Sequence, residues 1–151
     1  MSNVNFVKGN CLDPESFKHY LDDVDGIIHT VGTLVEKKNN PDLTYEAMNR
    51  DTCIHMAGEL NDIAKAKGQT RTFAFISSEK PPPFLDKYLT TKKEAEEFLL
   101  SEECSNLKPT IIRPGFIWDK QHRSWSFPVK TIVDLAWYMN ETIGKKTPIA
   151  K

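Results

Sequence analysis

Glycine is scarce and scattered in this sequence. The seven glycines stand at positions 9, 26, 32, 58, 68, 115 and 144, and no three of them gather within one turn. That spacing argues against a Gly-x-x-Gly-x-x-Gly loop, whose backbone amides would cradle a pyrophosphate at a helix N-terminus. Cysteine is equally thin. Cys11, Cys53 and Cys104 are odd in number, far apart and in no metal-ligand spacing, so reduced, buried thiols in a non-secretory compartment are expected. His19 and His55 lack ligand-spaced companions, and no metal is expected. Long apolar runs are missing: Ile27-Ile28 and Thr110-Ile111-Ile112 are far too short to span a bilayer, so no transmembrane segment is expected. Neither sign of charge is in excess. With 20 Lys and Arg against 21 Asp and Glu, net −1, and no basic stripe, the chain offers no electrostatic case for nucleic acid or an anionic membrane. The N-terminus has no apolar signal region, and Asp13 and Glu15 argue against a transit peptide.

What is present is an alternation. The 151 residues are 39% hydrophobic and 27% charged, enough for one sizeable core. Val4 to Lys8 reads as a strand. Asp13 then caps a helix with Pro14 at its first position, running to about Leu21. Ile27 to Val31 is a short apolar run after Asp25-Gly26, suited to a strand buried on both faces. A long helix from about Leu43 to Lys67 closes on Gly68, with Asn49, Cys53, Met56, Ala57, Leu60, Ile63 and Ala64 as its inward stripe. Phe73 to Ile76 is a strand ending in Ser77-Ser78, and Pro81-Pro82-Pro83 makes a stiff loop. Tyr88 to about Glu103 is a helix, Thr110 to Arg113 a strand stopped by Pro114-Gly115, and Val129 to Ile143 a last amphipathic helix. Strands alternating with helices imply parallel pairing through crossovers, hence an α/β class with a doubly wound sheet in one domain over residues 1–151.

In open parallel sheets ligands bind beyond the carboxyl ends of the strands. There the sequence places Gly9-Asn10, Thr30-Val31-Gly32, Ser77-Ser78 and Arg113-Pro114-Gly115. The sharpest feature is Tyr88 with Lys92, four residues apart and therefore on one helix face. Lys92 falls on the apolar stripe with Thr91, Ala95, Phe98 and Leu99, where an ammonium needs a partner. An ammonium beside a tyrosine would lower its pKa and suit it to proton transfer. Snorkelling of Lys92 beside a core tyrosine is the alternative. The serine pair lies ten and eleven residues before Tyr88, and Asn49 is a polar residue on an inward helix face, where it needs partners. His122 and Arg123 fit a solvated loop, and Asn140-Glu141-Thr142 is a sequon within an expected helix. Trp125, Phe127, Trp137 and Tyr138 make the C-terminal region aromatic, as core or cover for the sheet.

Asn49, Ser77, Tyr88 and Lys92 match in type and order the tetrad of short-chain dehydrogenase/reductases. The chain resembles that family across about residues 4 to 140, through Asp25-Gly26-Ile27-Ile28-His29, Tyr45 to Asn49, Ile76-Ser77-Ser78, Tyr88 to Glu96 and Pro109 to Phe116. His29 to Leu34 and Arg113 to Asp119 resemble an atypical branch that includes fungal mitochondrial accessory proteins of ubiquinone (coenzyme Q) biosynthesis. That branch is similar to the reductase-like accessory subunit of respiratory complex I.

The resemblance implies a Rossmann-like fold and NAD or NADP as cofactor. It also implies a mitochondrial location and membership of a multiprotein complex at the inner membrane. It implies Tyr88, Lys92, Ser77 and Asn49 as catalytic residues, and Asn10, Gly32, Lys92, Arg113, Pro114 and Gly115 along the cofactor. In that role Tyr88 would exchange a proton with the substrate oxygen, Lys92 would assist, Ser77 would position that oxygen, and Asn49 would hold the helix and a relay water. Set against the family, the chain opens at what resembles its third strand, without the first strand and glycine-rich turn. Asn10 stands where the family often has Asp. A sheet without that first strand has an exposed edge that invites another chain. A dehydrogenase-like scaffold without catalysis, or a short-chain reductase for another substrate, are the alternative functions.

Overall fold

Three short strands, each rich in β-branched or aromatic residues, form the centre of the computed structural model, which describes residues 4–37, 39–79, 85–115 and the isolated positions 131, 135 and 138. The strands are β1 (Gly26–His29), β2 (Arg71–Ile76) and β3 (Leu107–Ile112). They lie in the order β1-β2-β3, all parallel, with Ile27 opposite Phe73 and Phe73 opposite Pro109. Pro109 has no N–H to donate, and it is accommodated on β3, an edge strand of the described sheet. Parallel neighbours require crossovers. These run through α1 (Thr52–Ala66) and α2 (Asp86–Leu99). The class is therefore α/β, as the alternation implies.

One face of the sheet makes the core. Phe73 and Phe75 of β2 are fully buried against Cys53, Ala57 and Leu60 of α1 and Ala95 and Leu99 of α2. Each large side chain here contributes about 1.5–3 kcal/mol by leaving water. The other face carries Ile28, 75% exposed, and Ile112, 46% exposed. Among the described residues the sheet is thus layered on one face, and helices on a second face are not among them. By its own packing the chain divides into two units, residues 1–114 and 115–151.

Boundaries differ from the sequence expectation in instructive ways. The α1 stripe stands, and the helix ends with Lys67 as its cap and Gly68 in the left-handed region at φ +62°, the conformation glycine adopts without strain. The N-terminal part of that helix is wound differently: Pro41–Leu43 is a 3₁₀ turn and Glu46–Asp51 a π-helical turn. Residues 14–20 form two 3₁₀ turns in place of an α-helix, and the Asp13 side chain makes no cap bond there. Val4 to Lys8 is not a strand. Its alternation is strand-like, but no described strand pairs with it, and Phe6 is 95% exposed. The expected helix at 129–143 falls outside the described residues apart from Thr131, Leu135 and Tyr138, which are helical. His122, Arg123, Trp125, Phe127, Trp137 and the sequon also lie outside them.

Candidate functional site

The carboxyl ends of β1 and β2 meet the first turn of α2 and the π-helical turn, and most of the expected site residues gather at this rim. Asn49 is fully buried within the π-helical turn. Its Oδ1 accepts the Thr33 backbone N–H at 2.7 Å and its Nδ2 donates to the Thr33 carbonyl at 3.1 Å. The amide thus imitates a strand partner for the segment leaving β1. A π turn widens the helix by one residue and often marks a functional position; here it carries the residue that grips Thr33.

Lys92 is 4% exposed. Its Nζ donates to the Ile76 carbonyl at 2.9 Å and lies 4.7 Å from the centre of the Phe75 ring. Burial lowers its pKa to about 8, against the opposing pull of Cys53 and Glu96. The partner required of a lysine on an apolar stripe is therefore a backbone carbonyl with an aromatic face. Gly32 fits between these two side chains. A Cβ there would stand 2.8 Å from Asn49 Oδ1 and 3.1 Å from Lys92 Nζ, so close packing alone demands glycine at this position.

Tyr88 is half-buried, its ring edge-on to Tyr45 with centroids 6.2 Å apart. The Tyr45 hydroxyl donates to the Leu34 carbonyl at 3.0 Å. The Tyr88 pKa is raised by burial, opposed by a hydrogen bond with Ser78 and supported by Tyr45. The lowering expected from Lys92 does not occur: desolvation dominates the phenol, and the Lys92 ammonium is directed to the Ile76 carbonyl.

The serine pair divides between two neighbourhoods. Ser77 is buried at 3% exposure and its Oγ makes no hydrogen bond of standard geometry. It lies close enough to Glu96 to help hold that carboxyl's pKa down. Ser78, one residue on, is the serine beside Tyr88. Phe73, Phe75 and Ser77 are buried in alternation along β2 and just past its end, whereas Ser78, two residues beyond the strand, is half-buried at the rim.

Of the residues expected along a cofactor, Gly32 and Lys92 stand together at the rim. Arg113, just beyond β3, is committed to Glu96: Nε lies 3.0 and 3.1 Å from the two carboxylate oxygens and Nη2 2.6 Å from one of them. The Pro114 carbonyl accepts the Glu79 N–H at 3.1 Å, and Gly115 is exposed. Asn10 is used in a turn, its Oδ1 accepting the Leu12 N–H at 3.0 Å.

Lys92 has two N–H groups beyond the one spent on Ile76, and the Tyr88 phenol and Ser78 hydroxyl are adjacent. For the pyrophosphate the described residues hold no cradle. No group of three or more His, Cys, Asp or Glu among them could hold a metal. No described helix is long and apolar enough to cross a membrane.

Sequence reasoning missed His29 and Glu96. His29, 3% exposed at the end of β1, lies between Phe73 and Phe75 with centroids 6.0 and 5.8 Å away. Its Nε2 is 3.3 Å from Thr52 Oγ1, which itself donates to the Met48 carbonyl at 2.9 Å. The threonine hydrogen being spent, His29 donates from Nε2 as a neutral ring. Its place as an ionisable residue in the middle of the apolar run Ile27 to Val31 was the available signal.

No protein-family model matches the chain. It is 25% identical over 182 residues to MIOREX complex component 2 of Saccharomyces cerevisiae, a match that takes in 93% of this chain and 65% of that protein. The chain therefore spans about 65% of the length of that curated relative. The match is longer than the 151 residues of the chain, so the relative carries additional residues inside it.

Proposed function

We propose that the chain is an NAD(P)-binding, reductase-like protein that serves as an accessory member of a mitochondrial ubiquinone-biosynthesis complex. The observation that carries the reading is the gathering of Tyr88, Ser78, Lys92, Asn49 and Gly32 at the carboxyl ends of β1 and β2, where parallel sheets bind ligands. The likeness to a protein named as a complex component supports the accessory role. The ubiquinone pathway and the mitochondrial location rest on the sequence resemblance.

When bound, a nicotinamide would supply hydride transfer. The chain's residues would do the rest. Tyr88 would hold and exchange the proton at a substrate oxygen, with the Ser78 hydroxyl beside it as the orienting donor. Ser78 takes this part in preference to Ser77, whose hydroxyl is turned towards Glu96. Lys92 would offer its remaining N–H groups to a ribose, and Asn49 would keep the wall of the site in register through Thr33.

A non-catalytic scaffold is the second reading, favoured by one specific observation. Both Asn49 and Lys92 are already bonded to the protein's own backbone, at Thr33 and Ile76. Replacement of the native protein by Tyr88→Phe in cells separates the two. Loss of ubiquinone with normal protein abundance and complex assembly is expected from a catalytic Tyr88. Unchanged ubiquinone would end the catalytic reading and leave the scaffold.

A further inference from the structure

One face of α2 carries Tyr88, Lys92 and Glu96 at steps of one helical turn. The first two belong to the rim already described, and the third has so far had no part in it. The Glu96 side chain is 8% exposed. Burial pushes its carboxyl towards the neutral form, but the bonds from Arg113, helped by the nearby Ser77 hydroxyl, more than offset this and keep the pKa below the ordinary value. An ionised carboxylate is thus retained inside the protein, where it costs stability unless it is well paired. Arg113 supplies that pairing with both oxygens engaged, while 53% of its own side chain stays in solvent.

The groups around Lys92 come from every neighbouring element. They are His29 on β1, Cys53 on α1, the Ile76 carbonyl and Phe75 ring on β2, and Glu96 on its own helix. Arg113, just beyond β3, reaches this group through Glu96. His29, lowered to about 4, is uncharged near neutrality. Cys53, raised to about 12, is still a neutral thiol while Lys92 titrates near 8. Of these groups, only Glu96 brings a negative charge to the lysine.

We propose that Glu96 is a positioning residue of the rim, the buried counter-charge to the Lys92 ammonium, locked in place by Arg113 from the end of β3. The lock ties two elements to one carboxylate: α2, through which Lys92 reaches the rim, and the end of β3 through Arg113. Its importance rests on the reading of Lys92 as the working amine of the site.

The test is the titration of Lys92 in the full chain, read from its Cε–Hε NMR signal with Lys92→Met to assign it. Glu96→Gln, nearly isosteric, should move the midpoint down by roughly one pH unit. Arg113→Met, at a largely exposed side chain, should move it up, because Glu96 then answers to Lys92 alone. Opposite shifts are the signature of a charge at Glu96 acting on Lys92. A general loosening of the rim would move both variants the same way. Midpoints that stay put in Glu96→Gln, or that move together, overturn the proposal. Opposite shifts in a protein that binds no nicotinamide nucleotide would uphold Glu96 as counter-charge and remove only the functional reading.

Discussion

Acidification should destabilise this protein through one buried imidazole, and the size of the effect follows from its surroundings. His29 lies between two phenylalanine rings and has one hydrogen bond, to a threonine whose own proton is already given to Met48. A second proton on the ring would find no acceptor and would charge an apolar pocket. Burial, with a smaller push from Lys92, therefore lowers the pKa from 6.5 to about 4. The sign follows from linkage. The unfolded chain takes up the proton near 6.5 and the folded one only near 4, so the stabilising contribution is complete above 6.5 and is lost as pH falls towards 4. The difference is worth roughly 3 kcal/mol, at a slope of up to about 1.4 kcal/mol per pH unit. Carboxylates titrate over the lower part of the same range, so the native protein alone is not diagnostic. His29→Gln removes the imidazole and leaves them in place. Urea unfolding of both proteins from pH 7 to 4 should show the advantage of the native chain shrinking by about that amount. A gap that stays constant across the range would refute the buried neutral imidazole.

The alkaline side should show the counterpart. Lys92 loses its proton near 8 when folded and 10.5 when unfolded, so stability should rise with pH between those values, and Lys92→Met should abolish the rise in the same unfolding assay. Asn49→Ala removes two buried hydrogen bonds and leaves a small cavity. It should cost about 2–4 kcal/mol and speed amide exchange at Thr33, and unaltered exchange there would contradict the clamp. Arg71 is buried at the start of β2 and donates to the Leu21 carbonyl at 2.6 Å and the Asp22 carbonyl at 2.9 Å. Arg71→Met removes both bonds, leaving the Asp22 carbonyl to Lys67 and the Leu21 carbonyl to a long bond from the Val24 N–H at 3.5 Å, and should cost about 1–3 kcal/mol by denaturant unfolding.

Elements governed by local periodicity were legible. The stripe of α1, its glycine stop at Gly68 and the shared face of Tyr88 and Lys92 all follow from spacing along one helix. What failed depends on partners distant in sequence. Val4 to Lys8 has the composition of a strand, but a strand exists only where another offers its edge. The π turn at Glu46–Asp51 has no residue signature, and it carries Asn49, whose bonds reach Thr33 sixteen residues earlier. Which of Ser77 and Ser78 meets Tyr88 depends on how the chain turns beyond Ile76, where strand alternation no longer applies. The pairing of Arg113 with Glu96 joins a strand end to a helix 17 residues earlier, a contact set by the crossover and invisible to local pattern.

The central claim is that the rim around Lys92 and Tyr88 receives a nicotinamide nucleotide. Its most direct test is NMR shift mapping of the full chain with NADH and with reduced nicotinamide mononucleotide, which needs no second phosphate cradle. The account predicts saturable shifts centred on Gly32, Ser78, Tyr88 and Lys92, abolished in Lys92→Met and weakened in Tyr88→Phe. Shifts elsewhere on the surface, or binding indifferent to both substitutions, would contradict it.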